Sequence, residues 1–542
     1  MNHYLLNRET LLREHPREIV HLRTQILQRR FTLVLGAGVS CSVGFPSWRL
    51  LTSRLEEAIV AQGGTRVHAD LSITLQSLFL QFRKKKVEQP DSSSNDRNVY
   101  DKACFENLAL SEWRSLVRSE LYRDVPQDRK KSMEQHPYLE QLLRLVQDTS
   151  FVVNYNFDDT LQTLLELSSY LGAQSEPRYQ TAWLPHQQFL PGATVIYHPN
   201  GYLPLDPHDR QSNWLVFSEE EFSDQLVDNF NGVSATLLHY FTRNTCLLLG
   251  LSLNDQNLKL LLRQSAVLHP GNIHYYVRFI SKEENLSNLE REAIVDLYFE
   301  TYNLVTLFLG EDEIGALISL LTTSPQSFDL ETANLGVPTK YVLYITGTVG
   351  TGKTTCLEHL SNFITHTEWV EKRGKELLKS FASLEPDEEI EVDRWIDRQF
   401  FQKNHTLMSA QDGIHIVDRC PLDPLSYKDD AGRMLRARQL IKHVRRDGNL
   451  IPGIIVHLLG DEEELLVRLM NRSKKNWTAR DIRALQDRTA LIYSGLPVIE
   501  VPTSGRSVSA IVRDVVRALF TCDYKKCLCD INCRLDEIAD GK

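Results

Sequence analysis

The string Gly347-Thr-Val-Gly350-Thr-Gly352-Lys353-Thr354 follows directly on the apolar run Tyr341–Thr346. Glycines at these intervals let a backbone curl until several N–H groups converge, and a strand running into such a curl is the setting in which it cradles phosphate oxygens. The eight residues satisfy the full Walker A pattern. Lys353 is then expected to reach the outer phosphates and the Thr354 hydroxyl to ligate Mg²⁺, with Thr355 joining the same set. The next segment, TCLEHLSNFI, is helix-capable. A strand, a glycine turn and a helix in that order specify an α/β unit with a parallel sheet. The same order occurs earlier, where Phe31–Leu35 runs into Gly36-Ala37-Gly38. The expected fold class is therefore α/β, with a Rossmann-like domain in the first half and a P-loop parallel-sheet domain in the second.

A chain of 542 residues exceeds one hydrophobic core. A Ser/Thr/Pro-rich break, TTSPQSFDLETANLGVP, suggests where to divide it. The expected layout is an N-terminal domain over 1–322, a linker over 323–339, a P-loop domain over 340–520 and a cysteine-containing tail over 521–542. Residues 1–30 read as helical, and the polar Lys84–Asn98 as a loop. The net charge is −10. That balance provides no broad basic face, so sequence-specific nucleic-acid binding is not expected. No apolar run approaches the ~20 residues of a membrane span, and the N-terminus lacks a secretory pattern. A cytoplasmic protein with reduced thiols is the expectation. Cys522, Cys527, Cys529 and Cys533 lie close together, but their spacing matches no paired zinc pattern, so zinc is not expected.

Further motifs surround both glycine turns. In the second half, GIHIVD reads as a strand ending in Asp418-Arg419. An acidic group there can serve Mg²⁺ or take a proton from an acceptor hydroxyl, and Arg419 can steady a phosphate. After a strand over Ile454–Leu459, Arg468, Arg472, Lys474, Lys475 and Arg480 form a basic run suited to a lid over phosphates. With Pro421-Leu-Asp-Pro424 and a closing strand Val498–Val501, residues 339–520 resemble the deoxynucleoside and nucleoside-monophosphate kinases. The resemblance implies ATP or a (deoxy)nucleotide with Mg²⁺ as ligand, bound for turnover or only for sensing.

The first half carries Gly36-Ala37-Gly38-Val-Ser40, then Gly44-Phe-Pro46-Ser-Trp48. Later come Val153-Asn154-Tyr155-Asn156 with Asp158 and Asp159, then Tyr197-His198-Pro-Asn200-Gly201-Tyr202 beside Ser218–Phe222. Last is Leu249-Gly250-Leu-Ser252-Leu-Asn-Asp255. Four strings in this order resemble the sirtuin-like NAD-binding domains over about 25–310. The resemblance implies that Gly36, Ala37, Gly38, Ser40, Pro46, Trp48, Asp158, Asn200, Gly201, Gly250, Ser252 and Asp255 contact NAD⁺. It gives catalysis to an Asn, matched by Asn154, and to a His. The family's His stands immediately before the glycine, where this chain has Asn200. His198, two residues earlier, points to the same side of an extended strand and is the substitute candidate. Either it serves as base, or Asn200 takes part of the role without proton transfer, or catalysis is weaker. Asn156 replaces a family Asp, for which Asp158 can stand in. The paired cysteines of the sirtuin zinc ribbon are missing, which favours NAD⁺ hydrolysis over deacylation.

Related stand-alone domains act as oligomeric NAD-depleting effectors against phage. The combined expectation is an NAD⁺ glycohydrolase, homo-oligomeric, released by a phage-derived trigger and gated by nucleotide at the P-loop. The alternative is an active nucleoside or nucleotide kinase regulated by NAD or ADP-ribose. A third reading is a nucleotide-dependent assembly protein without catalysis.

Overall fold

The computed structural model describes residues 2–66, 71–88, 102–126, 128–170, 178–184, 187–212, 215, 233–253, 255–281, 283–371, 386–472 and 477–541. The chain divides into two compact units. The first takes 1–11, 25–265 and 273–324; the second takes 12–24, 266–272 and 325–542. The expected α/β class holds in both.

The first unit is built on seven strands: β1 (Phe31–Leu35), β2 (Phe151–Asn154), β3 (Tyr179–Ala182), β4 (Thr194–Tyr197), β5 (Thr245–Leu249), β6 (His274–Phe279) and β7 (Leu304–Leu309). They stand in the order β3-β4-β2-β1-β5-β6-β7, and every pairing is parallel. Strands covered on both faces need unbroken apolar runs, and FTLVL and TCLLL are buried at every position. The chain leaves β1 to one side for β2 and returns to its other side for β5. The crevice outside the carboxyl ends of strands at such a reversal is where an open α/β sheet receives ligands. Gly36 follows β1, Asn154 ends β2, His198 follows β4 and Gly250 follows β5, so all four strings converge on that edge.

The second unit has six strands: β8 (Lys340–Gly347), β9 (Ile364–His366), β10 (Gly413–Asp418), β11 (Gly453–Leu459), β12 (Ile499–Pro502) and β13 (Leu528–Cys529). Five run parallel in the order β12-β11-β8-β10-β9, and β13 pairs antiparallel with β11. β8 is central, so its loop emerges between the ends of β10 and β11.

Three boundaries differ from the sequence-based layout. The segment expected as a 323–339 linker is a helix, Pro325–Leu335, closed by Gly336 at φ +63°. Proline fits the first turn of a helix, where its missing N–H is not needed, and left-handed glycine ends one. Phe328 and Thr332 are buried, with the Arg23 guanidinium 3.9 Å above the Phe328 ring. The segment 521–542 is not an appended tail. It supplies β13 and the helix Ile531–Asp540, whose Ile531, Leu535 and Ile538 sit in one core with Leu440 and Tyr493. Finally, Leu12–Thr24 belongs to the second unit, although it precedes the first in sequence. Within Lys84–Asn98, the first five residues finish the helix Leu71–Glu88 and the rest lies outside the described residues.

Candidate functional site

In the first unit, the turn after β1 is packed hard against the turn after β5. The Gly36 N–H donates to Leu249 O and the Gly38 N–H to Gly250 O. A methyl group on Gly36 would fall 2.6 Å from Gly250 O, so this approach tolerates no side chain. Ser40 then meets the β2 loop. Its Oγ donates to Asp158 Oδ1 at 3.1 Å, and Asn156 Nδ2 donates both to Ser40 Oγ (3.1 Å) and to Gly36 O (3.0 Å). Asp158 Oδ1 also accepts from the Thr160 N–H. Burial raises the Asp158 carboxyl, and the Thr160 and Ser40 hydrogen bonds oppose it. Ala37, Ser40, Pro46, Trp48, Asn156 and Asp158 line one cleft, walled by Phe45 and Phe157. Six residues singled out between Ala37 and Asp158 thus share one cavity wall.

Asn154 is buried at the end of β2, where its Oδ1 accepts from the Asn156 N–H at 3.1 Å. Asn200 reaches the same loop: its Nδ2 donates to Tyr155 O at 3.4 Å. Asp255 Oδ1 accepts from the Leu258 N–H at 2.9 Å. Gly201 adopts φ +106° and Gly250 φ +67°. Ser252 is exposed on the turn after Gly250. The Ser218–Phe222 string lies outside the described residues.

His198 is fully buried. Its Nδ1 lies 2.7 Å from Asn156 O and its Nε2 lies 2.9 Å from Gln162 Nε2. A carbonyl only accepts, so Nδ1 carries the proton, and the Nε2 lone pair is taken by the Gln162 amide. Burial lowers the ring to about 4, partly offset by the Asn156 hydrogen bond. Both ring nitrogens are thus engaged within the protein. Gln162, which sequence reasoning did not single out, completes this lock.

In the second unit, Gly347, Gly350 and Gly352 take φ of +140°, +89° and +95°. Lys353 Nζ donates to Gly347 O and Thr348 O, both at 2.8 Å. Burial lowers this amine to about 7, helped by Arg419 and opposed by Asp423, Asp418 and Glu368. Thr354 Oγ1 donates to Asp418 Oδ2 at 3.0 Å. Asp418 Oδ1 is buried without a hydrogen-bond partner among the described residues. A hydroxyl and a carboxylate oxygen at the mouth of a phosphate loop suit Mg²⁺, which takes one or two protein ligands and completes its shell with phosphate and water. The ion would supply charge neutralisation at the phosphates. Arg468 Nη1 lies 3.4 Å from Gly350 O, so the basic helix does reach the loop. Thr355 is half-buried in the first turn of the helix Lys353–Glu358. The Arg472 side chain, Lys474 and Lys475 lie outside the described residues, and Arg480 is exposed.

Arg419 adopts φ +72°, strained for a side chain of its size. Two carboxylates hold it there. Its Nε donates to Glu368 Oε1 at 2.6 Å, and Nη1 lies 3.7 Å from Asp423 Oδ2. The hydroxyls of Thr346 and Tyr493 both donate to Asp423 Oδ1. Lys403 Nζ donates to Asp418 O at 2.7 Å. Burial lowers Lys403 to about 8, against the opposing pull of Asp418 and Glu368. Glu368 and Lys403 escaped the sequence reading. The helix expected through Ile364 stops at Glu358, and the three-residue β9 that carries the chain to Glu368 is too short to leave a period.

Comparison with known proteins agrees with this architecture. A family model for a SIR2-like domain matches residues 150–307, and one for an AAA domain matches residues 342–451. The chain thus combines a SIR2-like domain with a P-loop domain, and its function is nucleotide-related. No curated protein matches the chain. Among solved structures, the Deinococcus radiodurans tunicamycin resistance protein is 17% identical over 33% of this chain and 95% of its own, with a TM-score of 0.24. Deoxyadenosine kinase from M. mycoides, solved with dCMP and dCDP, is 16% identical over 33% of this chain and 97% of its own, with a TM-score of 0.26.

Proposed function

We propose that the chain hydrolyses NAD⁺ to nicotinamide and ADP-ribose in its first unit, under the control of a nucleotide bound at the P-loop of the second. The observation that carries this reading is the shared cleft of Ala37, Ser40, Asn156 and Asp158 beside buried Asn154, within a SIR2-like domain. Departure of nicotinamide leaves an oxocarbenium-like ribose, which needs polar groups for its hydroxyls and for one water rather than a metal or covalent partner. Asn154 is the group assigned to that positioning. An NAD-consuming enzyme inside a cell must be silent until needed, and the second ligand site offers the control. The biological role that fits is an antiphage effector, cytoplasmic and homo-oligomeric, that depletes NAD when a phage product alters a nucleotide.

The test is incubation of the purified chain with NAD⁺ and a panel of Mg²⁺-nucleotides, following nicotinamide and ADP-ribose. Lys353→Ala should leave the products unchanged in kind and abolish the response to nucleotide. Turnover that no nucleotide alters, in either protein, sinks the gating; absence of nicotinamide under every condition sinks the hydrolase.

One observation favours a kinase as the second reading. Glu368 stands against Arg419, with Lys403 and Asp418 beside them, which is more machinery than phosphate binding requires. A nucleoside panel with γ-labelled ATP checks it, and Glu368→Gln should abolish any transfer observed.

A further inference from the structure

The cleft of the first unit is walled by apolar and aromatic side chains together with Ser40, Asn156 and Asp158, and among the described residues lining it Asp158 alone is ionisable. Hydrogen bonds decide which of its atoms is open to a ligand. Asn156 Nδ2 donates to the Gly36 carbonyl, which can only accept, so the orientation of this amide is settled. The same Nδ2 donates to Ser40 Oγ, and the Ser40 hydroxyl donates onward to Asp158 Oδ1 at 3.1 Å. The Thr160 N–H donates to that oxygen too, at 3.0 Å. Oδ1 is thereby taken by two donors, while Oδ2 has no hydrogen-bond partner among the described residues. No ion pair reaches this carboxylate among the described residues either. The titratable groups around it are Cys41, Tyr122, Tyr202 and Asp159, none of them a cation. The nearby Arg129 stands against Asp159 instead, at 4.0 Å. Asp158 is 3% exposed, and burying a carboxylate without a counter-charge is costly. In a cleft wall, such a group complements a cation that enters the cleft.

We infer that Asp158 is the catalytic carboxylate of NAD⁺ cleavage, with Oδ2 taking the proton of the attacking water while Ser40 and the Thr160 N–H hold Oδ1 in place. This rests on the hydrolase reading above. The C1′–N bond breaks, nicotinamide leaves with the bonding pair as a neutral base, and the positive charge passes to the ribose. The unpaired carboxylate stabilises that oxocarbenium-like state. A water oxygen bonds C1′ and one of its protons moves to Asp158 Oδ2. The acid so formed returns the proton to solvent as ADP-ribose leaves. Burial holds the Asp158 carboxyl above its ordinary range, which makes it a better base than a solvated carboxylate, and the hydrogen bonds from Thr160 and Ser40 favour its ionised form. Ser40 is a positioning residue that acts through Asp158.

The experiment uses the full chain in the nucleotide condition that gives the highest nicotinamide release. It measures kcat, NAD⁺ affinity and melting temperature for Asp158→Asn, and the pH profile of kcat for the wild type and Ser40→Ala. Asp158→Asn should lower kcat by on the order of 1000-fold, within the range of a lost general base, with NAD⁺ affinity changed far less. Its melting temperature at neutral pH should equal or exceed that of the wild type, because the amide oxygen still accepts from Ser40 and Thr160 and a buried unpaired charge is gone. The wild-type kcat should fall on acidification as Asp158 protonates. Ser40→Ala removes a donor to the carboxylate and should move that acid limb to higher pH. An Asp158→Asn protein that binds NAD⁺ with kcat within about threefold of the wild type overturns the assignment and leaves the hydrolase intact. So does one that loses turnover and melting temperature together, which marks a structural carboxylate. So does a wild-type kcat that stays flat as pH falls to about 4, the ordinary carboxylate range. Absence of nicotinamide release from the wild-type chain under every nucleotide overturns both readings together.

Discussion

Single positions carry the tightest constraints in this protein. Gly36 has ordinary extended backbone at φ −128°, so the objection to a side chain there is purely steric. A Cβ would lie 2.5 Å from Leu251 Cδ2 and 2.6 Å from Gly250 O. Leucine can turn aside, but the carbonyl cannot. Gly36→Ala should therefore cost about 1–3 kcal/mol, as overpacking does, and should weaken NAD⁺ binding by spreading the two turns; thermal melts and ligand titration check both. The buried histidines set the response to acid. Burial lowers His198 to about 4 and His274 to about 3. The unfolded chain binds protons at an ordinary histidine pKa near 6.5, before the folded chain does, so stability falls as pH drops from about 6.5 towards 4. His198→Gln should flatten that slope in a pH series of melting temperatures. Equal slopes in the two proteins would show that the ring does not titrate on unfolding.

At the scale of elements, the segment after residue 521 tests what holds the second unit. Leu535 is buried in the core beside Ile531 and Ile538. Leu535→Ala should cost about 2–5 kcal/mol, the range for a buried leucine left as a cavity, and lower the melting temperature of that unit. A surface appendage would tolerate the change. The same segment shows what the sequence did and did not disclose. Strands buried on both faces were legible, since Tyr341–Thr346 and Phe31–Leu35 are mostly apolar and run into glycine. The four strings around the first sheet were legible as an ordered set, and the fold places them along one edge. The linker was misjudged because Ser, Thr and Pro read as a break, although Pro325 needs no N–H and Phe328 needs a core. The surroundings of His198 were hidden for a different reason. Spacing along a strand tells which side a residue points to but not who already occupies its nitrogens, and Gln162 lies 36 positions away. Glu368 and Lys403 gather at Asp418 and Arg419 from separate elements, and no local pattern encodes a meeting of that kind.

For the whole molecule, two compact units predict two unfolding transitions. Mg²⁺-ATP should raise the transition of the P-loop unit, by an amount that grows as RT ln(1 + [L]/Kd), about 2.7 kcal/mol at a hundred times Kd. Lys353→Ala should abolish that rise, and NAD⁺ should act on the other transition. Calorimetry of the full chain separates these outcomes.

The membership of Leu12–Thr24 also has a consequence for synthesis. Ile19, Val20 and Leu22 are buried within the second unit, where His21 stacks on Phe363 at 4.9 Å and Arg17 donates to the Leu519 carbonyl. The ribosome makes this helix some hundreds of residues before its partners, so the two are separated by on the order of tens of seconds of elongation. During that interval its apolar face has no native partner. An emerging chain that stalls before residue 325 has already released the strands of the first sheet but none of the second, and the orphaned helix ahead of them marks the product as unfinished.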